Sequence, residues 1–416
     1  MTDKIRILTI GDHPLSPSGV GTQTKYICQA LLDSGKFSIL SLGGAIKHND
    51  YRQIQVEPYD NEWRIIPIDG YGTPEMIRSV IRTEKIDMVW FMTDPRFWEW
   101  LWMMENEIRP LCPMIYYHVW DNFPAPMFNR DFYLSNDHIV TISRVTDDIV
   151  KAVAPEVPRT YLPHAVDSAI FKKFNKEELS KVKKALWTDQ GLEEDIFTIF
   201  WNNRNARRKQ SGTLIYWFKS FLDKVGHDKA RLLMHTDPGD PHGQDLPAII
   251  ESLGLTNKQV MLSTEKLPPE HLSALYNAAD CTVNISDAEG FGLSTLESLA
   301  CGTPIVVNMT GGLQEQINTA NGFAGIPLYP VSKAVIGSQQ VPYIYEDRLS
   351  EKQFVDAMQK MLLLGKDGRA ELGNVGMKHV QENYDFSKFK EKWVNLMLDI
   401  YESSKNYSNI LFKEVA

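Results

Sequence analysis

Apolar residues fall along the chain in short runs separated by longer stretches of mixed polarity. Ile5–Ile10 is rich in β-branched residues and ends at Gly11. Ser16-Pro17-Ser18-Gly19-Val20-Gly21 follows, and then a helical pattern through Leu32. Strand, glycine loop and helix in that order open a parallel α/β unit. Ser38–Leu42, Met88–Met92, Met114–Val119 and His138–Ile142 are further buried-strand candidates, most of them separated by helical stretches. The rhythm restarts at Phe197–Trp201, with Gly212–Val225 as its helix. Later strands are predicted at Arg231–His235, Val260–Ser263, Cys281–Ile285 and Pro304–Asn308, and helices at Leu246–Leu253, Pro269–Ala279 and Ser294–Ala300. Such alternation predicts two doubly wound sheets with ligand loops at the carboxyl ends of the strands.

The polar, Lys/Glu-rich stretch Lys172–Leu192 is the expected boundary between the halves. We therefore expect domains over 1–180 and 181–385, with a cleft between them where ligands bind. The amphipathic segment Phe386–Tyr401 closes the chain, and 386–416 is expected to pack back on the first domain.

At 416 residues the chain is long enough for two or three domains, and 43% hydrophobic with 23% charged residues suits a soluble globular protein with a real core. The net charge of -9, with no long Lys/Arg run, argues against nucleic acid as a partner. Cys28, Cys112, Cys281 and Cys301 form no C-x-x-C pair, which fits a reducing compartment and neither a disulfide framework nor a zinc site. The first residues lack the apolar core of a signal peptide, and no run of about 18 apolar residues exists to span a membrane. The expected location is the cytosol. Phe97–Met104 carries three tryptophans; it could serve as an acceptor platform or a membrane-interface contact, and the simpler reading is a helix packing on the sheet.

The richest stretch is Glu289-Gly290-Phe291-Gly292-Leu293-Ser294-Thr295-Leu296-Glu297, between the strands predicted at Cys281–Ile285 and Pro304–Asn308. Its glycines let the backbone approach a ligand, and the helix beginning near Ser294 aims its positive end at the same place. Carboxylates beside an anion site suit sugar hydroxyls better than phosphate. The plain alternative is a glycine-tightened turn with two solvated glutamates. A second feature, Trp201-Asn202-Asn203-Arg204-Asn205-Ala206-Arg207-Arg208-Lys209, follows the first strand of the second domain. Arg204 and Lys209 there could neutralise a leaving diphosphate, the work a divalent ion does elsewhere. No D-x-D motif is present to hold such an ion. The alternative is a solvated basic loop.

The Glu289–Glu297 E-x7-E element, the following Ala300-Cys301-Gly302-Thr303-Pro304 and Gly311-Gly312-Leu313-Gln314-Glu315 resemble the retaining glycosyltransferases of family 4. The Ser18–Gly21 loop, Thr141–Arg144, Pro163–Asp167, the Arg204/Lys209 pair and Tyr276–Asp280 extend the resemblance over most of the chain. It implies the GT-B fold, two Rossmann-like doubly wound α/β domains facing across a cleft, with acceptor on the N-terminal side and nucleotide sugar on the C-terminal side. It implies a metal-independent hexosyltransferase with no cofactor, moving a sugar from a nucleotide-diphosphate donor to a glycan or lipid-linked glycan. Peripheral contact with the cytosolic face of a membrane is compatible with it.

Residue by residue, the resemblance assigns Arg204 and Lys209 to the donor diphosphate, with the loop of Gly19 and Gly21 closing over it. The amides of Gly290, Phe291, Gly292 and Leu293 would meet the sugar and phosphate. Glu297 would hold the ribose hydroxyls, Glu289 the hydroxyls of the transferred sugar, and His118 would lie near the anomeric carbon; a core-edge histidine is the alternative. Three departures stand out: Asn203 where the family has glycine, His235-Thr236-Asp237-Pro238-Gly239-Asp240 in place of a Gly-rich strand end, and His164 in place of asparagine. A nucleotide-sugar epimerase of the same shape and a non-catalytic nucleotide-sugar-binding subunit are the alternative functions.

Overall fold

In the computed structural model, which describes residues 4–414 with side chains to Lys405, the chain divides into two compact units. Residues 1–164 and 387–416 form one, and 165–386 the other. The first holds an eight-stranded sheet in the order Ile54–Val56, Asp60–Pro67, Phe37–Gly44, Ile5–Asp12, Met88–Met92, Met114–His118, His138–Thr141, Arg159–Tyr161. All neighbours pair in parallel except the first two strands, which are antiparallel. The second holds a six-stranded parallel sheet in the order Val260–Ser263, Ala230–His235, Phe197–Asn202, Cys281–Asn284, Ile305–Asn308, Gly325–Leu328.

The central strands are buried almost end to end because helices cover both faces of such sheets, which is why their sequences read as unbroken apolar runs. From Glu62 onward Asp60–Pro67 alternates between half-buried and buried positions. In each sheet the chain order reverses at the central strand: Ile5–Asp12 in the first, Phe197–Asn202 in the second. Loops diverge there and open a crevice at the carboxyl ends.

The division falls between His164 and Ala165, ahead of the 180/181 boundary expected from polarity. The Lys/Glu-rich stretch is a surface helix of the second unit, Lys176–Leu186, closed by an Asn175/Glu178 capping box. Its flanks are tied down: Phe174 N–H donates to Asn277 Oδ1 at 2.8 Å, Ser273 Oγ to the Ile170 carbonyl at 2.9 Å, and buried Trp187 lies beneath the Arg231 guanidinium. At the other end of the chain, Trp393 packs within the first unit, 4.9 Å from the Tyr117 ring and 6.2 Å from Trp90.

The tryptophan-rich segment turns Trp98, Leu101, Trp102 and Met104 into the core and leaves Phe97 and Met103 exposed. It forms a 3-10 turn, Pro95–Phe97, and two short helices, Glu99–Trp102 and Glu105–Ile108, rather than one continuous helix. Asp94 caps the turn and Trp98 interrupts the helical backbone after it. Trp98 and Trp102 are buried against Phe91 and Tyr116, and Trp102 Nε1 donates to Asn136 Oδ1 at 3.0 Å. Among the described residues no helix is long and apolar enough to cross a membrane.

Candidate functional site

The second sheet's reversal lies between Phe197–Asn202 and Cys281–Asn284. The loops leaving these two strands carry the basic segment and the first glutamate, so the topology itself delivers them to one place. The chain turns through a 3-10 turn, Arg207–Lys209, into the helix Ser211–Val225. Lys209, only 8% exposed, donates its ammonium to Glu289 Oε2, and Glu289 is equally buried. Asn284 Nδ2 also donates to that carboxylate at 3.3 Å, and Arg208 Nη1 lies 4.0 Å away. Burial alone would push the Glu289 carboxyl up; Lys209, Arg208 and the Asn284 hydrogen bond outweigh it and hold the group below the ordinary range.

Glu289 leads into a turn fixed by close backbone approach. Gly292 caps the helix Leu293–Ala300 at φ 91°, where a Cβ would meet Leu313 Cδ2 at 2.6 Å. Gly311 sits at φ 49°, with the Glu289 carbonyl oxygen 1.8 Å from where its Cβ would be. Side chains are thus excluded at both glycines. Gln316 Nε2 donates to the Phe291 and Gly292 carbonyls at 2.7 and 3.1 Å, which holds the peptide planes. The positive end of the helix faces the turn.

Glu297 stands further along that helix, half-buried. It accepts from the Tyr276 hydroxyl at 2.7 Å, which in turn accepts from Asn202 Nδ2 at 2.8 Å. Burial, only partly offset by the Tyr276 hydrogen bond, pushes its carboxyl up to about 7. A carboxylate poised near neutrality gains most from hydroxyl donors, because they stabilise its charged form.

Arg204 does not face Glu289. Its guanidinium, 61% exposed, grips Asp240 at 2.6 and 3.2 Å and reaches His242 Nδ1 at 2.8 Å. Arg204 holds the Asp240 carboxyl well below the ordinary range. The unusual loop after Ala230–His235 is therefore docked onto the basic segment. Fully buried Asn205 pins it, donating to the Gln244 carbonyl at 2.7 Å and accepting from Ser211 at 2.5 Å. Arg204 and Lys209 are each paired with a carboxylate, but the far more exposed Arg204 is screened by water, so it has less to offer a phosphate than Lys209. Arg204→Ala is expected to weaken nucleotide binding about tenfold, one charge-assisted hydrogen bond's worth; isothermal titration would show it.

In the first unit, Ser18 caps the helix Gly19–Asp33, accepting from Gly21 N–H at 2.9 Å and donating to Asp12 Oδ2 at 2.6 Å. Gly19 is exposed at the first turn and Gly21 is buried. His118 ends its strand fully buried, with Nε2 on the Tyr133 hydroxyl at 2.6 Å. Burial drives its pKa down to about 3, so the ring is neutral. Its side chain as it stands makes no contact with solvent, and reaching an anomeric carbon requires the residues over it to move. His164 is likewise buried, bonded to the Tyr117 hydroxyl at 2.8 Å.

Sequence reasoning singled out the His235–Asp240 loop without giving Asp240 a partner, and missed His242, Asn284 and the whole of Glu346–Arg348. Tyr276 lay within a motif already quoted, but the glutamate its hydroxyl meets stands 21 residues on, in another helix, which no local spacing signals.

Residues 188–370 match the family described as "Glycosyl transferases group 1". The alpha-monoglucosyldiacylglycerol synthase of Streptococcus pneumoniae is 24% identical over 181 residues, 43% of this chain and 39% of that protein. A D-inositol 3-phosphate glycosyltransferase 1 of Catenulispora acidiphila is 30% identical over 179 residues, 42% of this chain and 40% of that protein. The chain thus spans about two fifths of the length of these relatives. Among solved structures, a sucrose-phosphate synthase from Thermosynechococcus elongatus aligns with a TM-score of 0.75 at 16% identity, over 96% of this chain and 100% of that one. Anabaena Alr3699/HepE, solved in complex with UDP and glucose, aligns at 0.69 and 14% over 95% and 100%. These likenesses show the fold, GT-B with its two Rossmann-like units.

Proposed function

From the match of residues 188–370 to the glycosyl transferases group 1 family we propose that the chain is a retaining, metal-independent hexosyltransferase. It moves a sugar from a nucleotide-diphosphate donor to a hydroxyl of a glycan or lipid-linked glycan. The observation that carries the reading is the buried Lys209–Glu289 pair at the sheet's reversal. A fixed cation for the leaving diphosphate stands beside a carboxylate for sugar hydroxyls.

In this reading the bond from the anomeric carbon to the diphosphate oxygen breaks toward Lys209, with Arg204 and the helix Leu293–Ala300 adding positive potential. The acceptor oxygen bonds to the anomeric carbon on the same face, and its proton passes to the departing phosphate oxygen. No separate general base is then required. Glu289 holds the sugar while positive charge builds at the anomeric carbon, and Glu297 holds the ribose. Gly19 and Gly21 approach the diphosphate, and the amides of Gly290–Leu293 complete its cradle. His118 serves as a neutral group behind the anomeric carbon once its cover shifts.

Nucleotide sugar as partner is supported by the UDP-glucose complex of the Anabaena neighbour. A cytosolic setting is supported by four free, buried cysteines. Contact with a membrane's cytosolic face belongs to the same proposal when the acceptor is lipid-linked.

The test is a thermal-shift panel of nucleoside diphosphates and nucleotide sugars, with and without EDTA. A ligand at about 100 times its dissociation constant adds roughly 2.7 kcal/mol of stability. The expected result is a shift selective for one base that survives EDTA and is lost in Lys209→Ala. A shift abolished by EDTA and restored by Mg²⁺ would overturn the metal-free reading. Donor consumption without any acceptor would favour the epimerase, and tight binding without turnover the binding subunit.

A further inference from the structure

After Gly325–Leu328 the chain makes an antiparallel hairpin, Ser332–Ile336 with Ile344–Arg348, before the helix Glu351–Leu363. The hairpin's residues are exposed or half-buried except at Glu346, whose side chain is 2% exposed. A fully buried acid on a surface hairpin calls for an explanation.

Glu346 takes the Arg207 guanidinium in two hydrogen bonds, 2.6 and 3.0 Å. Arg348 bridges Glu346 at 2.7 Å and buried Asp287 at 2.6 Å. Between them Asp347 is held three ways. Its N–H donates to the Asp287 carbonyl at 2.9 Å, its carbonyl accepts from Asn308 Nδ2 at 3.1 Å, and its carboxylate accepts from Thr310 at 2.8 Å. Asp287 also accepts from Gln210 Nε2 at 2.5 Å, and its N–H donates to the Arg208 carbonyl at 2.9 Å.

Three consecutive residues therefore join the loops that leave three strands: Phe197–Asn202, Cys281–Asn284 and Ile305–Asn308. Those loops carry Lys209, Glu289 and Gly311. Arg207 and Gln210 flank Lys209 on either side, and each is held by this network, Arg207 through Glu346 and Gln210 through Asp287. We propose that Glu346–Arg348 is a clasp in which Glu346 acts as a positioning residue, fixing the Arg207–Lys209 turn so that Lys209 meets the donor diphosphate.

The inference rests on the proposed diphosphate role of Lys209, and its physical content is preorganisation. Lys209 has four rotatable bonds, and a site held only loosely loses binding and rate. The Glu346 carboxylate is engaged by Arg207 and Arg348. Its effect must pass through the turn, so it must vanish when Lys209 is gone. A purely structural role predicts a lower melting temperature with nucleotide affinity unchanged.

The experiment is isothermal titration with the best-binding of ADP, GDP, UDP, CDP and dTDP, on wild type, Glu346→Gln, Lys209→Ala and the double variant. Glu346→Gln should raise the nucleotide dissociation constant about tenfold in a protein that still melts cooperatively. In the Lys209→Ala background the same change should cost less than twofold. In steady state the donor KM should rise and the acceptor KM stay put, with Glu346→Asp recovering part of the loss. Should Glu346→Gln fail to fold, Arg207→Gln, at the more exposed end of the pair, tests the same link and should show the same non-additivity. Unchanged affinity in a folded variant, or a full tenfold loss in the Lys209→Ala background, would overturn the clasp while leaving the proposed function intact. Failure of the wild type to bind any of the five would overturn both.

Discussion

Lys209→Ala should lower turnover by about 10²-fold or more, the loss typical when a fixed charge that meets a developing anion is removed. The burial of Lys209 is what makes the expected effect large. An exposed lysine is screened by water and salt; one that is 8% exposed acts through a poorer dielectric, where its charge is felt more strongly. The same burial creates a second effect that must be separated from the first. Removing the ammonium leaves Glu289 buried without its nearest cation, and an uncompensated buried charge destabilises the fold. Its carboxyl should rise toward the neutral form, since burial already pushes that way. Glu289→Gln combined with Lys209→Ala removes the orphaned charge. The double variant should melt closer to wild type than Lys209→Ala alone, yet regain no turnover. Wild-type turnover in folded Lys209→Ala would sink the diphosphate assignment.

The parts of this site that could be read from sequence are those fixed by local backbone demands. Gly292 and Gly311 occupy positions where a Cβ would collide, and the strand–turn–helix order around Glu289 follows from short apolar runs and a helical pattern. Both features live within a few residues, so a linear reading reaches them. Lys209 and Glu289 are 80 residues apart, and their contact depends on which strands are neighbours. Resemblance to a family suggested that pairing of roles; hydrophobic patterning alone could not. The Arg204–Asp240 pair and the Glu346 clasp were out of reach for a related reason. Each joins a polar loop residue to a basic segment through topology; the His235–Asp240 loop stands out in the sequence as a departure from the family, yet neither loop announces its partner. The boundary at 164/165 was missed because charge density was read as linker character, whereas Lys176–Leu186 is an amphipathic surface helix anchored at both ends.

Nucleotide-sugar affinity should fall about 50-fold as pH drops from 7 to 5. Burial holds the free Glu297 carboxyl at about 7, so below that pH the group carries a proton. Two ribose hydroxyls donating to it favour the carboxylate, and binding must expel the proton. The first pH unit below 7 then costs about fivefold in affinity and the next about tenfold, until the pKa of the bound state is reached. The sign for folding is opposite. Because the folded pKa lies above the ordinary value, the proton's contribution to the stability of the free protein is complete below about 4.3 and is lost as pH rises through 7. The unliganded fold should therefore gain from acid at this group while the ligand loses. A nucleotide sugar is the right probe, since a free nucleoside diphosphate has a terminal phosphate that itself titrates near pH 6. Asp287, pushed up to about 6 by burial, titrates in the same window, so the measurement needs Glu297→Gln as its control. That variant should bind more weakly at pH 7 and lose most of the pH slope. Titration calorimetry in buffers of different ionisation enthalpy should count close to one proton released per ligand at pH 6 in wild type and clearly fewer in the variant. A slope identical in the two proteins would remove the ribose from Glu297.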